Sequence, residues 1–519
     1  MVGGGKPRIL PALALVAAAL AAHGLVVGNG FVWDDKAIIV VGNPDTRDLH
    51  HLPHVLLSPD EMKPYYRPLT RASFLVDYQL FELDPRPYHL VNLLLHVVAV
   101  LLLYTLGCRV FESRAPAFAA ALMLAVHPIH SEVVAFVSAR NNIFALCFGL
   151  LSLLLFIDAA ARKSHARAAL SALAFFAAMA AKEPGAMVLP ILALWLYVPA
   201  LSGNPSGSRR WTLLVPHLVA AAGYFAMRIV ALGAPVASES VLRGLGTRLA
   251  QDYWVLPRYL LLAAWPSALG PYHEVPKEYP SLLWLPVVWM ALAAAIVLIV
   301  RRPSPASVLG LLWFGANLLP ILSLVPIPSA SIAERFFYIP AAGLWLVVAD
   351  LLWRLPVPRR VYGGIGAAAV VALGVRAALR DRDWRDDVRL FAGAVATEPA
   401  SLSAHFNYGN ALKDIGDLAG AERQWGQALA IEPLDPGTHA QLGTLAATRG
   451  DYATAEHHYR IALRGDASIS EAHLNLAKIC ERTGRPEEAR EHYLAAAVDP
   501  DLSVQARARL QVLARPLSP

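Results

Sequence analysis

"ILPALALVAAALAAHGLVVGNGFVWDD", residues 9–35, decides the fold. Its first twenty residues contain no Asp, Glu, Lys or Arg, and about 20 apolar residues are what a helix needs to cross a bilayer core. The run then breaks at Gly-Asn-Gly and reaches an adjacent acid pair, Asp34 and Asp35. A cleaved signal peptide, with "ALAA" as its cleavage site, would need a shorter apolar region and no further spans. The expectation is therefore an uncleaved first span. The acid pair is then either the solvated edge of that span or the working end of an enzyme.

Outward from this stretch the same texture repeats. The chain has 519 residues, 56% hydrophobic and 16% charged, against roughly 25% charged in soluble domains; its mean hydropathy is +0.46. Candidate spans lie near 9–28, 89–107, 115–127, 142–160, 168–182, 185–201, 211–232, 283–300, 307–325, 336–353 and 361–378. The stretch 250–269 is apolar but carries Asp252, Pro257, Arg258 and Pro266. Charges at mid-bilayer are costly, so it is expected to be re-entrant or interfacial. Five basic clusters then fall on one face, as the positive-inside rule requires: Arg109 with Arg114, "ARKSHAR" at 161–167, Arg209–Arg210, Arg301–Arg302, and Arg354 with Arg359 and Arg360. That gives eleven crossings from a cytoplasmic N-terminus and places the chain after about residue 380 on the outer face. The formal charge of +6 needs no nucleic-acid partner, because these loop arginines account for it. Cys108, Cys147 and Cys480 form no CxxC and no disulfide framework.

The C-terminal part is a different polymer. Gly416, Gly450 and Gly484 stand 34 residues apart, as do Ala421, Ala455 and Ala489, then Trp425, Tyr459 and Tyr493, then Ala428, Ala462 and Ala496. A 34-residue period of small, aromatic and small positions is the tetratricopeptide signature. The expected organisation is a membrane domain over 1–380, with a first outer loop at 29–88, and repeats over 381–519. The repeats divide into a half repeat at 384–400, full repeats at 402–435, 436–469 and 470–503, and a capping helix at 504–515. The predicted fold class is all-α: a polytopic helical bundle followed by an α-solenoid.

On this topology the polar motifs gather at the outer face: "FVWDD" and "YYRPLTRASFLVDYQLF" in the first loop, "HPIHSEVVAFVSARNN" (127–142), "AKEPG" (181–185), "PYHEVPKEYP" (271–280) and "SIAERFFYIP" (331–340). Each has a plain reading. An acid pair at a membrane exit is usually a solvated flank, and Arg67 in "YYRP" reads as an interfacial anchor. His127, His130 and Glu132 are metal-ligand types, but Pro128 interrupts their spacing, which is weak evidence for a divalent metal. Lys182 beside Glu183, and Glu334 beside Arg335, read as interfacial ion pairs. What tells against the plain readings is that all of them share one face while the other carries only Arg and Lys. Transporters place ionisable residues nearer the midplane.

"FVWDD…NPD", "YRPLT", "YHLVNLLLHVV", "HPIHSEVVAFVSARNN", "KEPG" and "AERFFYIPAAG", followed by the repeats, resemble the transmembrane and tetratricopeptide repeat-containing O-mannosyltransferases, a GT-C class of glycosyltransferase. The composition suggests a bacterial relative. Where the family reads Arg-Ala-Asp, this chain has Arg140-Asn141-Asn142, so an acidic role at Asn142 is lost. The resemblance implies transfer of a sugar, by default mannose, from a polyprenyl-phosphate carrier in the membrane to a hydroxyl, by default a protein Ser or Thr. A hydroxyl nucleophile needs a positioned carboxylate as base, here Asp34 or Asp35, with Asp34 preferred. The leaving phosphate needs cations, for which Arg335, Arg140, Lys182 and Arg67 are the candidates. Glu132, His127, His130, Glu183 and Glu334 are left to orient the acceptor, with His127, His130 and Glu132 as the one set suited to a metal. No other cofactor is implied. The repeats would hold acceptor proteins on the periplasmic side of an inner membrane, or on the lumenal side of the endoplasmic reticulum in a eukaryote. Two other readings are a non-catalytic scaffold whose repeats recruit envelope proteins, and a transporter of lipid-linked sugars.

Overall fold

A computed structural model describes residues 8–41, 47–59, 65–198, 201, 211–233, 245–273, 284–322 and 332–513. Among these residues every regular element is helical, apart from an isolated bridge between His273 and Ile332. The chain forms two compact units, Met1–Arg389 and Leu390–Pro519. The "GNPD" motif, the Arg209–Arg210 pair and parts of "PYHEVPKEYP" and "SIAERFFYIP" lie outside the described residues.

In the first unit the apolar runs become long helices because a peptide in hydrocarbon must satisfy its own backbone. Among the described residues seven helices are long and apolar enough to cross a membrane: Ile9–Gly28, Pro85–Val110, Val137–Arg162, Trp211–Leu232, Trp284–Arg301, Glu334–Trp353 and Gly363–Asp383. Arg114–Val126 and Pro128–Ala135 make an eighth if counted together, bent by 52° where Pro128 interrupts the helix. The remaining three expected spans are shorter apolar helices, His165–Ala181, Glu183–Tyr197 and Pro305–Leu318. The eleven expected crossings are thus eleven helical segments, of which length and composition support seven or eight. The 250–269 stretch lies mostly in the helix Leu245–Ala264, with Pro257 inside it.

Sequential helices pack as neighbours, notably Pro85–Val110 on Arg114–Val126, Arg140–Arg162 on His165–Ala181, and Pro305–Leu318 on Glu334–Trp353. Three of these helices are tied together at one end by charge. Arg109 pairs with Asp158 at 2.7 Å, and Arg167 reaches the same carboxylate at 3.5 Å. On the Pro85–Val110 helix, Tyr88 and Asn92 lie about 32 and 26 Å from Arg109 at 1.5 Å per residue. The Arg109–Asp158–Arg167 group and the Asn92–Arg140 contact therefore lie at opposite ends of this helix, and Asp158 and Asp350 stand among the arginines where only Arg and Lys were expected.

The second unit stacks helix pairs: Leu402–Asp414 with Leu418–Ile431, Pro436–Thr448 with Tyr452–Gly465, Ser470–Arg482 with Pro486–Ala496, then Pro500–Leu513. Gly416, Gly450 and Gly484 have φ of 85°, 81° and 74°, the left-handed turn glycine adopts without penalty. Trp425, Tyr459 and Tyr493 are buried between the paired helices with their flanking alanines. The boundary between units falls beyond residue 380, because Asp381, Arg385 and Asp387 hold the segment that follows the first span.

Candidate active site

The bend at Pro128, the turn at Lys182–Met187 and the N-terminal end of Glu334–Trp353 converge on the loop at residues 29–36. Asp35 is fully buried. Its Oδ1 accepts from the Ser138 N–H at 2.7 Å and the Ser138 hydroxyl at 2.6 Å, and its Oδ2 accepts from the Val137 N–H at 3.3 Å. Burial outweighs these bonds and pushes its carboxyl from 3.8 up to about 7. Asp34 is half-buried and its carboxylate has no hydrogen-bond partner among the described residues. It lies within electrostatic range of Arg335.

Between the two acids and the rest of the site stands Trp33, with φ of 52°. Its ring stacks on Phe136 at 5.4 Å and meets Tyr272 edge-on at 5.1 Å. The Arg335 guanidinium sits 5.1 Å above the same ring. Arg335 is fixed by Glu132, which accepts the Arg335 N–H at 2.8 Å and pairs with its guanidinium. Lys182 and Arg335 both lie about the ring of Phe336, at 5.1 and 5.0 Å. Lys182 Nζ donates to the Asn142 Oδ1 at 2.6 Å. Next to it Glu183 lies between two arginines, Arg67 at 3.0 Å and Arg228 at 3.5 Å. The result is a file of basic side chains, Arg335, Lys182, Arg67 and Arg228; burial, with Arg67 and Arg335 nearby, pushes the Lys182 ammonium well below its usual range, and its hydrogen-bond partner is neutral. Such a file favours an oxyanion.

Several sequence expectations are corrected by this geometry. Arg140 is no phosphate ligand: it is fully buried and bonded to Asp77 at 2.5 Å, Asn92 at 2.7 Å, the Tyr88 carbonyl at 3.1 Å and Ser73 at 3.2 Å. It locks the first loop to the bundle, and burial raises the Asp77 carboxyl despite the arginine. His127 is consumed at both nitrogens, donating from Nε2 to the Ala263 carbonyl at 2.9 Å and accepting the Ile129 N–H at 3.2 Å. His130 is buried among His96, Tyr338 and Trp345, whose indole N–H it accepts at 3.1 Å. Both oxygens of Glu132 belong to Arg335. His127, His130 and Glu132 are therefore no ligand set, and among the described residues no three His, Cys, Asp or Glu side chains converge to hold a metal. Glu334 is buried, and its Oε1 takes the Gly270 N–H at 2.6 Å.

Sequence reading missed Asp77, Asn92, Ser138, Arg228 and Asp387. The signal for Asp77 and Asn92 was a polar residue directly flanked by apolar ones in a helical stretch, "FLVDY" and "LVNLLL", since a buried charge or amide needs partners. Ser138 and Asp387 carried no local signal.

Two family models match this chain. Residues 75–232 match the dolichyl-phosphate-mannose-protein mannosyltransferase model, and residues 373–437 and 441–502 match the tetratricopeptide repeat. The protein O-mannosyl-transferase F38B6.6 of Caenorhabditis elegans is 25% identical over 426 residues, covering 77% of this chain and 59% of its own. The human protein O-mannosyl-transferase TMTC4 is 27% identical over 469 residues, covering 76% and 63%. The chain thus spans less than two thirds of the length of these relatives. The Archaeoglobus fulgidus oligosaccharyltransferase superposes with a TM-score of 0.45 at 14% identity, over 72% of this chain and 56% of that one. Over about three quarters of its length the chain is thus similar to protein O-mannosyl-transferases, with the mannosyltransferase match in its apolar part and the tetratricopeptide matches in its C-terminal part.

Proposed function

We propose that the chain is an integral membrane glycosyltransferase that moves a sugar, mannose by analogy with its relatives, from a polyprenyl-phosphate carrier to a protein Ser or Thr hydroxyl. The observation that carries this reading is the pairing of an unbonded, half-buried carboxylate, Asp34, with a neighbouring file of fixed cations led by Arg335. Asp34 takes the proton as the hydroxyl attacks the anomeric carbon, and direct attack inverts that centre. Asp35 has a proton affinity near neutrality, which would suit a base, but geometry comes before pKa: its lone pairs already serve Ser138 and Val137. It holds the loop instead. As the bond to the carrier breaks, negative charge grows on the phosphate, and Arg335 with Lys182 and Arg67 meets it with donors already in place. Glu132 keeps Arg335 aimed, and Glu183 does the same for Arg67. The repeats are read as the acceptor-binding surface, with the site and the repeats on the outer face of the membrane.

The test is sugar transfer by the purified chain, from polyprenyl-phosphate mannose to a Ser/Thr-rich acceptor. Asp34→Asn is expected to lower kcat by about 10²–10⁴-fold, the usual worth of a general base, with carrier binding retained. Full activity in that variant sinks the assignment of the base. Absence of transfer by the parent chain to any hydroxyl acceptor sinks the function.

A further inference from the structure

The loop that carries Asp34 is held from the far end of the first unit. The Asn29 side-chain amide donates to the Asp381 carbonyl at 2.9 Å, and the Gly30 N–H donates to the Arg385 carbonyl at 3.1 Å. The Trp33 N–H donates to Asp387 Oδ1 at 2.8 Å, and Lys36 pairs with Asp387 Oδ2. One carboxylate thereby clamps the chain on both sides of the acid pair. The Trp33 backbone, at φ of 52°, occupies a region that a bulky L-residue visits only where its surroundings enforce it. Phe136, Tyr272 and Arg335 hold the ring, and Asp387 holds the peptide. Asp34 is the next residue, so the backbone direction at Trp33 sets where its carboxylate points.

We propose that Asp387 is a positioning residue of the transfer reaction: by accepting the Trp33 N–H and pairing with Lys36 it fixes the left-handed turn that aims Asp34. The proposal rests on Asp34 as the base. Asp387 is also the first residue of the helix Asp387–Thr397, through which the chain enters the repeat unit. The strap on the base and the root of the repeats are therefore one residue.

Asp387→Ala removes both bonds, whereas Asp387→Asn keeps an oxygen for the Trp33 N–H. Asp386→Asn is the control, since Asp386 is exposed and its oxygen accepts the Arg389 N–H at 2.9 Å. With the full chain in detergent, Asp387→Ala is expected to lower kcat by about 10–100-fold, as misplacement of a reacting group does, at a KM for the carrier within about twofold. Asp387→Asn is expected to recover kcat to within about threefold of the parent, the worth of a weakened hydrogen bond. Amide exchange measured by mass spectrometry on the peptide covering residues 28–36 is expected to rise in Asp387→Ala and not in Asp386→Asn. Unchanged exchange in that peptide overturns the proposal, as does equal loss of kcat in the Ala and Asn variants. A parent chain without transfer activity overturns the function instead, and the exchange arm still decides whether Asp387 straps the loop.

Discussion

Adjacent acids in one loop have been given opposite tasks by their surroundings. Asp34 keeps its lone pairs, while Asp35 spends them on Ser138 and Val137 inside the protein. Burying a carboxyl disfavours its charged form, so Asp35 holds a proton in the folded state up to about pH 7 and loses it near 3.8 when unfolded. Between those values the folded state binds more protons than the unfolded one. Stability from this group is therefore present at low pH, declines as pH rises from about 4 to about 7, and is absent above. Asp35→Asn keeps the shape and removes the titration. Thermal unfolding at pH 5 and pH 8 is expected to show a smaller drop in Tm in Asp35→Asn than in the parent. Other titrating groups are common to both chains, so identical drops would show that Asp35 does not carry this dependence.

At the scale of elements, short turns between helices set the cation file. Lys182 ends the helix His165–Ala181, and the turn Glu183–Met187 folds straight back on it. Only glycine fits at 185, where a Cβ would meet the Ala178 carbonyl carbon and oxygen at 2.4 Å. Gly185→Ala must push the turn off the helix and carry Lys182 and Glu183 with it. Displacement of this order is expected to cost about 10²-fold in kcat/KM for transfer, with helix content unchanged by circular dichroism. Parent-like kinetics in that variant would mean that the turn does not position the cations. The helices and the turn residues here were legible in the sequence, because apolar length, Gly and Pro act over a few residues. The pairing of charges was not. Arg140 and Arg335 look alike as letters, each at the start of a helix beside a polar motif. One is locked by Asp77, 63 residues away, and the other by Glu132, 203 residues away. Nothing local tells which carboxylate each arginine will meet, or that Arg140 is fully buried and Arg335 is not. The same holds for Asp387, whose partner Trp33 is 354 residues distant.

Across the whole molecule, two cores of different character stand behind the two matched regions. The first runs through the apolar helices from Leu15 to Ala377, and the other includes the Ala446–Ala506 stretch of the repeats. Stability in a repeat array is close to a sum over units and their nearest neighbours, so a defect at one aromatic position propagates along the array and stops at its end. Tyr459 is the central example. It is buried, donates its hydroxyl to Thr444 at 3.0 Å, and packs so tightly on Gly443 that a Cβ there would lie 2.9 Å from its ring. Removing a buried aromatic of this size costs about 3–5 kcal/mol, enough to unfold a helix pair and loosen both neighbours. Tyr459→Ala is therefore expected to lower the melting transition of the repeats and leave that of the membrane unit in place, as separate transitions in calorimetry. If the repeats hold the acceptor protein, kcat/KM for a folded protein acceptor falls at least tenfold, by the loss of a second binding contact. Transfer to a short Ser/Thr peptide, which needs only the site around Asp34 and Arg335, stays at the parent rate. Equal loss for both acceptors would show instead that the array supports the catalytic unit itself, and retention of both would remove the repeats from acceptor recognition.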